Sequence, residues 1–336
     1  MKTRLSVITF SAVLLGGGGT TAFAGAVITN PAGTVALGVN DQGHLNTAPN
    51  ITSNASATGL AFKFPDGTWR DATAPGCLCE GWGVSVNGTT SGYATIDNAS
   101  PGISNLTVDS FGSTASTATS SVHLTSLPGL AVTHEYAPAT NSPDALFRSL
   151  VTITNTTGAD VTDLKYVRVM DWDIPPTEFN EFVTIQGTTT TTLLERSHDD
   201  GFDTPDPLAV TVPINPATAD VDFTDNGPDD HGAYFRFNFG ALADGASQTF
   251  EIFYGAAATE ALALAAIGAE SIELFSLGQS NGGQTSGSPA TFIFGFRGVG
   301  GTPVIPPSGV PEPMSLALMG IGLAGLGVTR RRKVQA

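Results

Sequence analysis

Asp171 and Asp173 stand two apart in the segment MDWD, within a run whose alternation reads as a β-strand. Side chains two apart on a strand share a face, about 6 to 7 Å from one another, so both carboxylates would point the same way. Such a pair could act as general acid and base on a glycosidic bond, ligate a metal jointly, or pair with a base such as Lys165 on the same face. Trp172 between them would point to the opposite side, either as an exposed ring that stacks on sugar or as a core residue. Asp171, Asp173 and His231, the last beside an acidic loop, are the catalytic candidates.

A second chemistry lies in DFTDNGPDDHG. Asp222, Thr224, Asn226 and Gly227 match the first half of a calcium loop, in which oxygens at alternate positions converge and the glycine permits a sharp turn. Pro228 offers a carbonyl, and Asp230 stands at the ninth position. The twelfth position is Ala233, so the bidentate acid of a complete EF-hand loop is missing. Other loops would have to supply it, HDDGFDTPD with Asp199, Asp200, Asp203 and Asp206 being the nearest source. The expected metal is calcium on Asp222, Thr224, Asn226 and Asp230, and a solvated acidic turn is the other reading.

Other catalytic patterns are incomplete. There is no G-x-S-x-G, no H-E-x-x-H and no P-loop, and His134-Glu135 lacks a second histidine. The five histidines, His44, His123, His134, His198 and His231, are scattered. Cys77 and Cys79 are the only cysteines. Export would expose them to oxidising conditions, but a Cys-x-Cys bridge closes a small strained ring; a local disulfide, an intermolecular pair and two thiols all stay open. Three tryptophans, Trp69, Trp82 and Trp172, offer a criterion: an exposed coplanar pair means sugar binding, whereas buried rings mean core.

These residues sit on a body of short strands. The 336-residue chain is 41% hydrophobic and 13% charged, with 40 glycines and 21 prolines, which marks a turn-rich globular protein rather than one disordered by charge. Alternating segments such as TVALGVN, GLAFKF, GWGVSVNG, SSVHLTSL, LAVTHEYAP, LFRSLVTITNTTG, VTDLKYVRVMDWDI, EFVTIQG, LAVTVPI, AYFRFNFG, SQTFEIFYG and TFIFGFRGV recur between Gly, Pro, Asn and Asp clusters. Strands at this spacing predict an all-β fold, an antiparallel β-sandwich of one large unit or two stacked ones divided near residue 200. One helix is predicted over EALALAAIGAESIELFSL, capped by Thr259, with Leu262, Ala266, Ala269 and Leu274 on one face and Gly278 at its end. LVTITNTTGADVTDLKYVRVMDWDI resembles the strand-turn-strand of immunoglobulin-like modules in extracellular bacterial proteins, where an Asn opens a hairpin. That likeness implies only a surface module.

Both ends read as processing segments. Lys2 and Arg4 precede an apolar stretch over 5–15, and Ala22 and Ala24 occupy the small positions a signal peptidase needs, so residues 1–24 are expected to be a signal peptide. The body would then run from 25 to 297, followed by a Pro/Gly-rich linker over 298–310. Residues 314–328 form an apolar run that would span about 22 Å as a helix, short against a hydrocarbon core of about 30 Å. Arg330, Arg331, Arg332 and Lys333 follow and would stay cytoplasmic, leaving the body on the other side.

The order Pro311-Glu312-Pro313, apolar helix and Arg-rich end, over 311–336, resembles the PEP-CTERM sorting signal of Gram-negative bacteria that make exopolysaccharide. The same tail also goes by the name of an ice-binding protein C-terminal motif, which says nothing of the body. The resemblance implies recognition by an exosortase after transient anchoring in the inner membrane through the C-terminal transmembrane helix. Delivery to the cell surface or the extracellular biofilm matrix would follow, with exopolysaccharide as the partner there.

Charge narrows the partners further. Residues 25–310 hold 29 acids against eight bases, a formal charge of −21, which disfavours nucleic acid and anionic lipid and favours cations. Sixteen of those acids lie between Asp160 and Asp230, with only Lys165, Arg168 and Arg196 to offset them. Carboxylates at that density need cations or solvent.

Overall fold

Alternating apolar and polar residues fold into three antiparallel sheets in a computed structural model that describes residues 25–282 and 290–304. The expected signal peptide and the C-terminal helix lie outside the described residues. The largest sheet has nine strands in the order β15 (Phe223–Asp229), β13 (Glu181–Gln186), β18 (Leu274–Ser280), β19 (Thr291–Arg297), β17 (Ser247–Ala257), β11 (Leu146–Asn155), β10 (Leu127–Pro138), β9 (Ala118–Leu124) and β8 (Leu106–Ser113). A six-stranded sheet runs β14 (Leu194–His198), β16 (His231–Leu242), β12 (Val161–Trp172), β5 (Glu80–Val86), β6 (Thr90–Thr95) and β7 (Gly102–Ser104). The first four strands, β1 (Ala26–Thr29), β2 (Val35–Val39), β3 (Leu60–Lys63) and β4 (Trp69–Asp71), form a small sheet of their own.

The six-stranded sheet packs face to face on the nine-stranded one through aromatic rings. Tyr166 of β12 meets Phe250 of β17 with ring centres 4.9 Å apart, and Phe235 of β16 meets Phe296 of β19 at 5.2 Å. The small sheet adds to the same core, with Phe62 of β3 at 6.2 Å from Phe292 of β19. Strands from either side of residue 200 pair directly, β12 with β16 and β11 with β17, and one apolar core runs through both.

The central strand β12 has two distinct faces. Leu164, Tyr166, Arg168, Met170 and Trp172 are all fully buried toward the inter-sheet core, as alternation requires. Lys165, Val167, Val169, Asp171 and, just past the strand end, Asp173 alternate with them and take the outer face. Much of that outer face is not open to water, because the long segment 199–222 folds over it. Ala99 N–H donates to Phe202 O, Asn98 Nδ2 donates to Gly201 O, and His198 stacks on Tyr234 with ring centres 4.5 Å apart.

The helix is shorter than its sequence pattern predicts. α1 (Glu260–Glu270) begins at Thr259, whose Oγ1 accepts from Leu262 N–H, and ends at Ser271 in the left-handed region. SIELFSL instead leaves the helix, and Leu274–Ser280 becomes β18 between β13 and β19. The buried helical face is Ala263, Ala266, Ile267 and Glu270, while Leu262 and Ala269 point outward.

Three other expectations change. LAVTVPI forms no strand: Pro207 and Pro213 lack the donors a ladder needs, and Val210 and Val212 are exposed. The predicted hairpin after LVTITN is a corner, since β11 stays in the nine-stranded sheet while β12 enters the six-stranded one. Buried Asn155 latches this corner, donating to Ala159 O and Leu242 O and accepting from Thr157 N–H. Residues 298–304, the start of the Pro/Gly-rich stretch, are tied to the body through Glu273, which accepts from Gly298, Val299 and Gly301 N–H groups.

Candidate functional site

β12 delivers Asp171 to a point where three backbone segments come very close. Asp171 pairs with Gly232 of β16, and its N–H donates to Cys79 O just before β5 begins. A Cβ at Gly232 would lie 2.1 Å from Met170 O, and one at Gly201 would lie 2.5 Å from Asp171 Cα. Only glycine fits at either position. Two residues on, Asp173 N–H donates to Ala72 O, so its backbone is fixed by the small sheet.

The register of β12 with β16 brings a third carboxylate. Trp172 stands opposite His231, so Asp230, just before β16, arrives beside Asp173. One carboxylate oxygen from each of Asp171, Asp173 and Asp230 lies within 4.8 Å of the others. Asp171 is 1% exposed and Asp173 0%, and four of their oxygens, Asp171 Oδ1, both of Asp173 and Oδ1 of Asp230, have no hydrogen-bond partner. Among the described residues no lysine or arginine pairs with Asp171, Asp173 or Asp230. Lys165 pairs with Glu195 at 2.7 Å, rather than with Asp171, and Arg168 faces the opposite side of the strand.

Burial and mutual repulsion shape the titration of this cluster. Asp171 is held well above the usual carboxylate range by burial, then by the charges of Asp230 and Asp200. Burial and the neighbouring Asp171 push Asp173 up to about 10. Glu181, at the start of β13, is pushed by burial up to about 9, although its carboxylate accepts from the His231 and Asn180 N–H groups. Burial also raises Asp230.

The cluster borders a cavity of about 410 Å³ lined by Asp171, Asp230, Asp97, Phe179, Phe202 and the Cys77–Cys79 pair. Cys77 and Cys79 are joined as a disulfide in the structure. Phe179 is 49% exposed at this cavity and adopts the left-handed backbone region, with its ring against Gly76. Trp82 and Trp172 are fully buried, with Trp172 Nε1 donating to Ser276 Oγ, and Trp69 is half-buried. Two of the three rings are therefore core.

The remaining acidic candidates do not converge. Asp222 Oδ1 accepts from Thr188 N–H and Oγ1, Thr224 Oγ1 from Gln186 Nε2, and Asn226 Oδ1 from Asn215 Nδ2. Thr224 and Asn226 lie on the edge strand β15 and Asp222 just before it, so the extended backbone spaces these alternate side chains about 6 to 7 Å apart in a row instead of closing a loop around one point. Asp199 accepts from Asn215 N–H and from Asn226 Nδ2, while Asp200 accepts from Phe202 N–H, Asp203 from Thr204 N–H and Asp206 from Leu208 N–H, so the last three brace local backbone. His231 is fully buried, its Nε2 3.2 Å from Glu181 O and its Nδ1 3.7 Å from Asp199 Oδ2. Of the acidic-loop candidates, Asp230 alone joins Asp171 and Asp173.

The destination is written outside the described residues. Residues 309–333 match the PEP-CTERM protein-sorting motif. The chain carries a PEP-CTERM sorting signal. That signal implies processing by an exosortase and an exported protein that transits the membrane. No curated protein matches the chain. Among the described residues no helix is long and apolar enough to cross a membrane, and the apolar run over 314–328 lies beyond them.

Proposed function

We propose that this PEP-CTERM protein is a component of the cell surface or exopolysaccharide matrix of a Gram-negative bacterium, with a structural or binding role and with calcium holding its acidic loops. The PEP-CTERM match carries this reading. The body is consistent with it: a β-sandwich with a large net negative charge suits a divalent-rich exterior better than a nucleic-acid or lipid surface. In the native host, replacing Pro311, Glu312 and Pro313 by alanine should move the protein from the surface and matrix fractions to the inner membrane. Unchanged fractionation would contradict sorting through this signal.

A polysaccharide-active enzyme, hydrolase or lyase, is the second reading. It draws on Asp171 and Asp230 lining one cavity with carboxyl groups raised toward the range a general acid needs. Incubating the protein with the producing organism's exopolysaccharide and following polymer mass by light scattering separates the two. Constant mass with co-eluting protein supports the binding role. Falling mass that Asp171→Asn abolishes supports the enzyme.

A further inference from the structure

We infer that Asp171, Asp173 and Asp230 form a divalent-cation site of the calcium class, placed where the chain passes from the nine-stranded sheet to the six-stranded one. The inference deepens the calcium part of the reading above and rests on it, but assigns the ion to residues other than the half-loop on Asp222. Asp230 stands between β15 of one sheet and β16 of the other, while Asp171 and Asp173 end the central strand of the six-stranded sheet. An ion among them would fasten that crossover to β12.

Unmet oxygens carry the argument. Asp173 is fully buried, both its oxygens lack partners, and one lies within 4.8 Å of oxygens from Asp171 and Asp230. A buried carboxylate without hydrogen bonds or a counter-charge is costly, and native structures rarely leave one so. The two nearest bases by sequence are both committed elsewhere, Lys165 to Glu195 and Arg168 to Glu80.

The donor set selects the ion. All the free donors are carboxylate oxygens, which suit hard cations; the adjacent sulfurs of Cys77 and Cys79 are locked in a disulfide and are not thiolates. Calcium takes six to eight oxygens at about 2.3 to 2.6 Å in flexible geometry, so three carboxylates within 4.8 Å of one another and added waters can surround it without the near-ideal octahedron that magnesium demands. Asp171 and Asp230 also border the cavity, from which waters can complete the coordination.

The test is calcium titration of the chelator-treated full chain by calorimetry, with thermal melting and tryptophan-sensitised terbium luminescence alongside. Wild-type protein should bind calcium and melt higher with it. Asp173→Asn should weaken calcium binding at least 100-fold and abolish the calcium-dependent rise in melting temperature, yet melt no lower than wild type in chelator because repulsion is relieved. Asp230→Asn should act the same way, and Asp222→Ala should retain binding. Calcium binding lost in Asp222→Ala but kept in Asp173→Asn and Asp230→Asn would overturn this site while leaving calcium in the proposed function. No calcium binding by wild type would remove both.

Discussion

The two faces of β12 bury charge in opposite ways. On the inner face Arg168 and Glu80 are both fully buried and ion-paired; Arg168 also donates to Gly43 O and Tyr136 Oη, and Glu80 accepts from Leu45 N–H. On the outer face, three residues along, Asp171 and Asp173 are equally buried and have oxygens with no partner at all. Burial is the same and satisfaction is not. A closed network reads as structure, whereas a buried cluster of one sign with free oxygens reads as a place for something else to bind.

The inner network should fail most severely when half of it is removed. Arg168→Met leaves Glu80 charged and unpaired in the core, with an expected loss of about 3–5 kcal/mol in chemical unfolding. The double variant Arg168→Met with Glu80→Leu should recover much of that loss. If it did not, the pair would contribute more than mutual neutralisation.

Gly232→Ala attacks the outer face through the backbone, since its Cβ would press on Met170 O. We expect destabilisation toward the upper end of about 1–3 kcal/mol, with weaker calcium binding as Asp171 shifts. A variant that is stable and binds calcium normally would show that the close approach of Gly201, Asp171 and Gly232 does not set the site.

Acid should expose the cost of the inner core's neutral histidine. His44 is fully buried with neither ring nitrogen partnered; burial, then the Arg168 guanidinium, lowers it to about 3, and His134 lies beside it. The unfolded chain takes up this proton near pH 6.5 and the native state does not, so the His44 contribution is intact above that pH and falls away toward pH 3. Relative to His44→Leu, wild type should lose about 2 kcal/mol between pH 7 and pH 5. Parallel stability profiles for the two proteins would contradict a neutral, buried His44.

The smallest effect belongs to the exposed end of the outer face. Lys165 and Arg236 share Glu195, each at 2.7 Å, beside a groove that Asp163, Pro207 and Leu208 also line. Lys165→Ala should cost under about 1 kcal/mol and leave calcium binding untouched. A large effect would mean that Lys165 compensates the carboxylates of Asp171 and Asp173 after all.

Local pattern made the strands legible but not their partners. Alternation placed Asp171 and Asp173 on one face and Trp172 on the other, because a side-chain period of two needs only the strand itself. Asp230 reaches them through the register of β12 with β16, some sixty residues apart in sequence, and no local spacing encodes that pairing. The half-motif around Asp222 pointed to Asp230 for another reason: its other members lie on or beside an edge strand, where the extended backbone strings them out in a row rather than gathering them around an ion. SIELFSL read as helix because its apolar spacing fits both periods, and only the gap between β13 and β19 decided for strand. Arg168 was legible as a base within the acidic stretch but not as the partner of Glu80, 88 residues away.

The most direct measurement is a crystal structure of the protein grown with calcium. The account predicts one strong density peak bonded at about 2.3 to 2.6 Å to oxygens of Asp171, Asp173 and Asp230, with waters completing the shell on the cavity side. Carboxyl groups hydrogen-bonded to one another with no ion between them, in crystals that hold calcium elsewhere, would contradict it.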